Sequence, residues 1–134
     1  DDIHLSYYCR DSIKGIAQMA RKNGMWNIIT MKLCPGSMGL RHFIPFLFVV
    51  SIVALALLGL IHWLFWAVLS FEVVLYLLLD VFFSVKSGAT AKERLLLILL
   101  FPIFHISYGV GSIGGLFKIC TKKYRKNRYT PKSI

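Results

Sequence analysis

Apolar and polar residues fall in long blocks along this chain. From Phe43 to Phe117 the sequence is a series of extended apolar runs, while both flanks are polar and basic. Blocks of that length read as membrane spans, not as the stripes of a globular core. Residues 43–61 are nineteen positions without a charge, enough to cross a hydrocarbon layer of about 30 Å. Pro45 falls in the first turn of that run, where a helix tolerates proline. His62-Trp63 and Trp66 mark a short turn at the far interface, and residues 63–83 form a second span ending at Ser84 and Lys86. Beyond a charged linker with Lys86, Lys92, Glu93 and Arg94, residues 95–117 form a third hydrophobic segment containing Pro102, four glycines and His105.

Upstream, the pattern changes to a helical period. Asp11-Ser12 offers an N-cap, and the stretch to about Leu33 places Lys14, Gln18, Arg21, Lys22 and Lys32 on one arc. Ile13, Ile16, Ala17, Ala20, Gly24, Ile28 and Met31 fall opposite, with Met25 and Ile29 intruding on the polar side. Such a basic amphipathic helix suits the headgroup plane, and Trp26 suits the same depth. Cys34-Pro35-Gly36 ends it. The expected architecture is an all-α membrane protein: an interfacial helix within a cytoplasmic segment 1–42, a transmembrane region 43–117, and a basic cytoplasmic tail 118–134.

Charge sets the topology. The tail carries seven Lys and Arg and no acid, and Arg41 with its upstream helix is basic too. The positive-inside rule places both ends in the cytoplasm, at the inner membrane of a cell. Three full crossings would separate them. Exporting seven charges costs roughly 16 kcal/mol per 100 mV. The balance favours a two-helix hairpin with the third segment re-entrant or interfacial and broken at Pro102, against a third span as the alternative.

Composition agrees. The chain is 57% hydrophobic with a net charge of +10 and a mean hydropathy of +0.65, which favours anionic lipid over nucleic acid as the partner. Beyond Tyr124 and Tyr129 the tail has no aromatic residues for base stacking. No charged n-region precedes a short apolar run at Asp1, so a secretory signal is not expected. Cys9, Cys34 and Cys120 form no CxxC pair and are expected to be free thiols.

Few residues point to chemistry. Gly109-x-Gly111-x-x-Gly114 matches a dinucleotide-binding fingerprint literally. However, it follows an apolar, proline-containing stretch, and no acid comes after Glu93 to hold a ribose. Its glycines read better as helix packing, with Gly111 and Gly115 as a small-xxx-small pair. Glu72, Tyr76 and Asp80 lie four apart and share a face of the second span. An acid at the depth of Glu72 costs on the order of 3 kcal/mol. The stripe is either a proton or substrate path, or a set of interhelical hydrogen bonds to Ser51, His105, Ser107 or Tyr108. Asp80, near the cytoplasmic end, has water or Lys86 within reach. The four histidines show no metal-ligand spacing, and neither a zinc-protease motif, a nucleophile elbow nor a Walker loop occurs.

Several local patterns occur together in order: YYCRDSIKGIAQMARKNGMW (7–26), LRHFIPFLFV (40–49) and FPIFHISYGVGSIGGLFK (101–118). The arrangement resembles the C-terminal membrane region of membrane-bound family 2 glycosyltransferases of the succinoglycan-biosynthesis type. The resemblance rests on Tyr8-Cys9-Arg10, Gln18 with Arg21, Gly24 with Trp26, Arg41-His42 with Pro45, and His105 with Tyr108, Gly109 and Gly111. Cys9 stands where the family pattern has proline. The resemblance implies a preceding GT-A catalytic domain that binds a nucleotide-sugar and a divalent metal, Mg or Mn. It also implies transfer of the sugar to a lipid-linked or growing saccharide acceptor at the inner face. On that view Gln18, Arg21 and Trp26 lie on the acceptor side, this segment is a fragment without cofactor, and alone it transfers no sugar. The alternative is a small stand-alone membrane subunit or transporter component, in which Glu72 and Asp80 matter most.

Overall fold

A computed structural model describes residues 12–87 and 90–121. The Asp11 part of the expected cap, the Tyr8-Cys9-Arg10 pattern and the tail from 122 onward lie outside the described residues. The fold is all-α: α1 (Ile13–Leu33), a 3₁₀ turn (Leu40–Phe43), α2 (Ile44–Gly59), α3 (Leu64–Lys86) and α4 (Ala91–Cys120). Among the described residues three stretches are long and apolar enough to cross a membrane: Leu40–Gly59, Leu64–Lys86 and Ala91–Cys120.

Local chemistry sets most boundaries. Ser12 caps α1, its hydroxyl accepting from the Gly15 N–H at 3.2 Å. Pro45 sits in the first turn of α2, where no intrahelical N–H is needed. Trp66 at the start of α3 packs on Gly59, where a Cβ would lie 2.6 Å from the indole nitrogen. Thr90 and Glu93 form a reciprocal capping box that starts α4, the Thr90 N–H donating to Glu93 Oε2 at 2.8 Å.

Pro102 does not break the third segment. α4 runs unbroken through it for 30 residues, or about 45 Å. The ring deprives only the Ile98 carbonyl of its partner, and the packing of α4 from His105 onward offsets that loss. The expected spans also shift at their ends. α2 stops at Gly59, and α3 begins at Leu64 and continues to Lys86.

α4 is the element on which the others pack. His105 meets α3 through Tyr76, Gly109 meets α2 at Pro45 and Val49, and Gly111 and Gly115 meet α1. α1 makes its most extensive packing against α4. Its buried positions are Ala20, Gly24, Ile28 and Ile29. Ala20, Gly24 and Ile28 come from the expected apolar side and Ile29 from the polar arc, while Ile13 and Met31 of the apolar side are 50% and 40% exposed. The seam follows small residues more than oily ones. Cβ atoms at Gly24 or Gly111 would run into the backbone oxygens of Tyr108 or Arg21, and one at Gly115 would lie 2.7 Å from the Met25 carbonyl. Close backbone approach of this kind is how helices associate where lipid supplies no hydrophobic drive.

Candidate functional sites

Two polar clefts flank the seam between α1 and α4. The first, of about 480 Å³, is lined by Gln18, Arg21, Lys22 and Met25 of α1 and by Gly111, Gly114 and Lys118 of α4. It holds three cationic side chains and no acid. Lys118 Nζ approaches Met25 Sδ at 3.0 Å, and a thioether is a weak acceptor that leaves the charge unneutralised. Gly114 leaves the floor bare, since a Cβ there would meet nothing within 4 Å. Such a concave, cationic, donor-rich surface suits a phosphate or diphosphate.

Of the three residues assigned to an acceptor side, Gln18 and Arg21 line this cleft together. Trp26 is not among its lining residues and is 48% exposed. Lys22, from the same basic arc of α1, and Lys118 complete the cleft. No local signal joins Lys118 to the arc, because it reaches α1 only through the glycine seam.

The second cleft, of about 420 Å³, lies between α1, the 3₁₀ turn with the start of α2, and α4. Asn23, Asn27, Arg41, His42, Phe104 and Tyr108 line it, over Pro45. Asn27 Nδ2 donates to the Tyr108 hydroxyl oxygen. Tyr108 is 6% exposed.

The polar stripe of α3 faces its neighbours. Ser51 of α2 donates to Glu72 Oε1 at 2.5 Å and also approaches the Phe48 carbonyl at 2.9 Å. Tyr76 stacks on Phe48 with ring centroids 4.5 Å apart, and its hydroxyl lies 3.3 Å from His105 Nδ1. That nitrogen is also 2.9 Å from the Phe101 carbonyl. A carbonyl only accepts, so Nδ1 carries the hydrogen and shares it between the two oxygens. Asp80 does not face water or pair with Lys86. It is 6% exposed and accepts from Ser84 at 3.5 Å, while Lys86 sits 6.0 Å from the Phe82 ring centroid. One turn of helix separates Asp80 from Ser84, so the nearer hydroxyl takes the carboxylate. Glu72 Oε2 and Asp80 Oδ2 are buried without a hydrogen-bond partner. An apolar cleft of about 390 Å³ borders Tyr76, Asp80 and His105.

Among the described residues no group of three or more His, Cys, Asp or Glu is placed to hold a metal ion. Cys34 and Cys120 are free and exposed. No protein-family model, curated protein or solved structure matches the chain.

Proposed function

We infer that this chain is the membrane-anchoring, acceptor-side module of a glycosyltransferase. In this reading the parent enzyme transfers a sugar from a nucleotide-sugar to a lipid-linked or growing polysaccharide acceptor. The observation that carries the reading is the first cleft. It combines the two residues that the family resemblance assigns to the acceptor, Gln18 and Arg21, with two further cations, Lys22 and Lys118. A lipid-linked acceptor presents a diphosphate at the membrane surface, and guanidinium and ammonium donors match its charge. The catalytic acids and the divalent metal, Mg or Mn, belong to a preceding domain.

The inner-membrane orientation is part of the proposal. The contacts between α4 and the α2–α3 hairpin described above involve Pro45, Val49 and Tyr76. These residues lie towards the hairpin end that carries Arg41 and Lys86. α1 packs on the half of α4 that ends in Lys118. Arg41 and Lys86 at the flanks of the hairpin and the basic stretch from Lys118 support, by the positive-inside rule, cytoplasmic placement of both chain ends.

Immunoblotting of the source membranes with an antibody against 122–134 tests the reading. A band near 35–40 kDa is expected, which corresponds to about 200 further residues upstream, the size of one catalytic domain. A band near 15 kDa would overturn it.

A second reading, a stand-alone membrane subunit or transporter component, draws on the unpartnered oxygens of Glu72 and Asp80. Buried unpartnered carboxylate oxygens within membrane helices are frequent in proton and substrate paths. The Glu72→Gln/Asp80→Asn double variant separates the readings. On the glycosyltransferase reading, acceptor binding stays within about twofold of wild type, because the stripe shares no partner with the first cleft. Abolition of a transport activity in that variant would favour the subunit.

A further inference from the structure

We propose that the second cleft is a binding site for the headgroup of an anionic phospholipid, with Arg41 and His42 on the phosphate and the Asn23, Asn27 and Tyr108 side chains on the headgroup hydroxyls. This site is distinct from the acceptor cleft and does not depend on whether the chain belongs to a glycosyltransferase.

Its composition carries the argument. The lining holds one guanidinium, one imidazole, two carboxamides and a phenol, and no acid. A guanidinium beside an imidazole with no carboxylate between them leaves donors and positive charge for an anion. The phenol is held in place and not used up. The Tyr108 oxygen accepts from Asn27 Nδ2, which leaves its own O–H free to donate. With Tyr108 only 6% exposed, that donor is fixed by its surroundings before any ligand arrives. Asn27 Oδ1 offers a matching acceptor, so a group that both donates and accepts, such as a glycerol hydroxyl, suits the pair.

Depth in the membrane selects the source. Arg41 and His42 occupy the 3₁₀ turn directly before the apolar helix α2. The cleft therefore opens where the chain passes from polar to hydrocarbon surroundings. Pro45 and Phe104 continue its wall on the apolar side, giving the glycerol backbone and acyl chains a surface to follow. Phosphate chemistry alone would also admit a water-borne phosphate ester. The apolar continuation favours the lipid.

The test uses the full chain, delipidated in a neutral detergent, with affinity read by native mass spectrometry and by thermal shift. The probes are dioleoyl phosphatidylglycerol, dioleoyl phosphatidylcholine and free glycerol 3-phosphate. Phosphatidylglycerol is expected to bind and to raise the melting temperature, with the other two at least about tenfold weaker. Arg41→Gln/His42→Gln is expected to lose about tenfold or more in phosphatidylglycerol affinity. Lys14→Gln, exposed at the start of α1 and outside both clefts, should keep it. If the double variant fails to fold, Asn23→Leu serves in its place, since Asn23 is an exposed position, and its expected loss is several-fold. Glycerol 3-phosphate binding as tightly as the lipid would overturn the lipid assignment. Equal retention of phosphatidylcholine, or unchanged affinity in the cleft variants, would overturn the site.

Discussion

Gly111→Ala lowers the stability of the helix assembly, and Gly114→Ala, three residues further along the same helix, raises it. Both exchanges remove a glycine from the interior of α4, and on helix propensity alone each should gain about 0.5–1 kcal/mol. What the new methyl meets sets the sign. At Gly111 it runs into the backbone oxygen of Arg21, and the carbonyl carbon and Cα of that residue lie 2.7 and 2.8 Å away. Backbone cannot swing aside as the end of a side chain does, so α1 has to move off α4. Overpacking of this kind costs about 3 kcal/mol, leaving a net loss of about 2 kcal/mol after the propensity gain. At Gly114 the methyl meets nothing within 4 Å, and the propensity gain remains. Thermal unfolding in detergent, followed by circular dichroism, reads both changes. Hydrogen exchange of the α1 amides shows whether the Gly111 variant has released that helix. Equal effects at the two positions would mean that the seam is not where α1 docks.

The helices themselves were legible, and their neighbours were not. The start of α1 at Ser12, its end near Leu33, the place of Pro45 and the apolar lengths of α2 and α3 all follow from capping chemistry and hydropathy. Those rules act within a few residues along the chain. Pro102 misled because proline in a helix removes one hydrogen bond, and tertiary packing of a long helix tolerates that loss. The α1 arc was legible in part, since Ala20, Gly24 and Ile28 lie on its apolar side and are buried. Hydrophobicity predicts which side of a helix avoids water, whereas the seam with α4 is selected by the absence of side chains at Gly24, Gly111 and Gly115.

The candidate sites show the same limit. Gln18 and Arg21 were found through a pattern within one turn of α1. Lys118 is 97 residues beyond Arg21 and joins them only once the helices touch. The family resemblance groups Trp26 with them, and Trp26 does not line the cleft. The α3 stripe was visible from its four-residue spacing, and its partners were open among Ser51, His105, Ser107 and Tyr108. Glu72 takes Ser51 and Tyr76 takes His105. Choosing between serines on two helices needs the relative depth of those helices, which hydropathy does not supply.

The largest functional effect is expected in the first cleft. Arg21→Gln/Lys22→Gln/Lys118→Gln should weaken the binding of a polyprenyl diphosphate by at least about a hundredfold, because each charge-assisted hydrogen bond lost is worth about 1.5–3 kcal/mol. Three cations with no acid among the lining residues repel one another, so removing them does not strand a buried counter-charge, and the fold should survive. A wild-type chain should also discriminate between the diphosphate and the matching polyprenyl alcohol, and should lose affinity for the diphosphate as salt is raised. Gly114→Leu isolates shape from charge. Its side chain projects into the cleft without touching the protein at Cβ, so binding should fall by about tenfold or more while all three cations remain. Trp26→Ala should change affinity by less than about threefold, since the indole is not among the lining residues. Direct titration of the full chain in detergent micelles separates these outcomes. Equal binding of alcohol and diphosphate would mean that the cations contact bulk lipid and not an acceptor. A loss in the Trp26 variant as large as in the triple variant would move the acceptor site out of this cleft and along α1, to the grouping that the family resemblance implies.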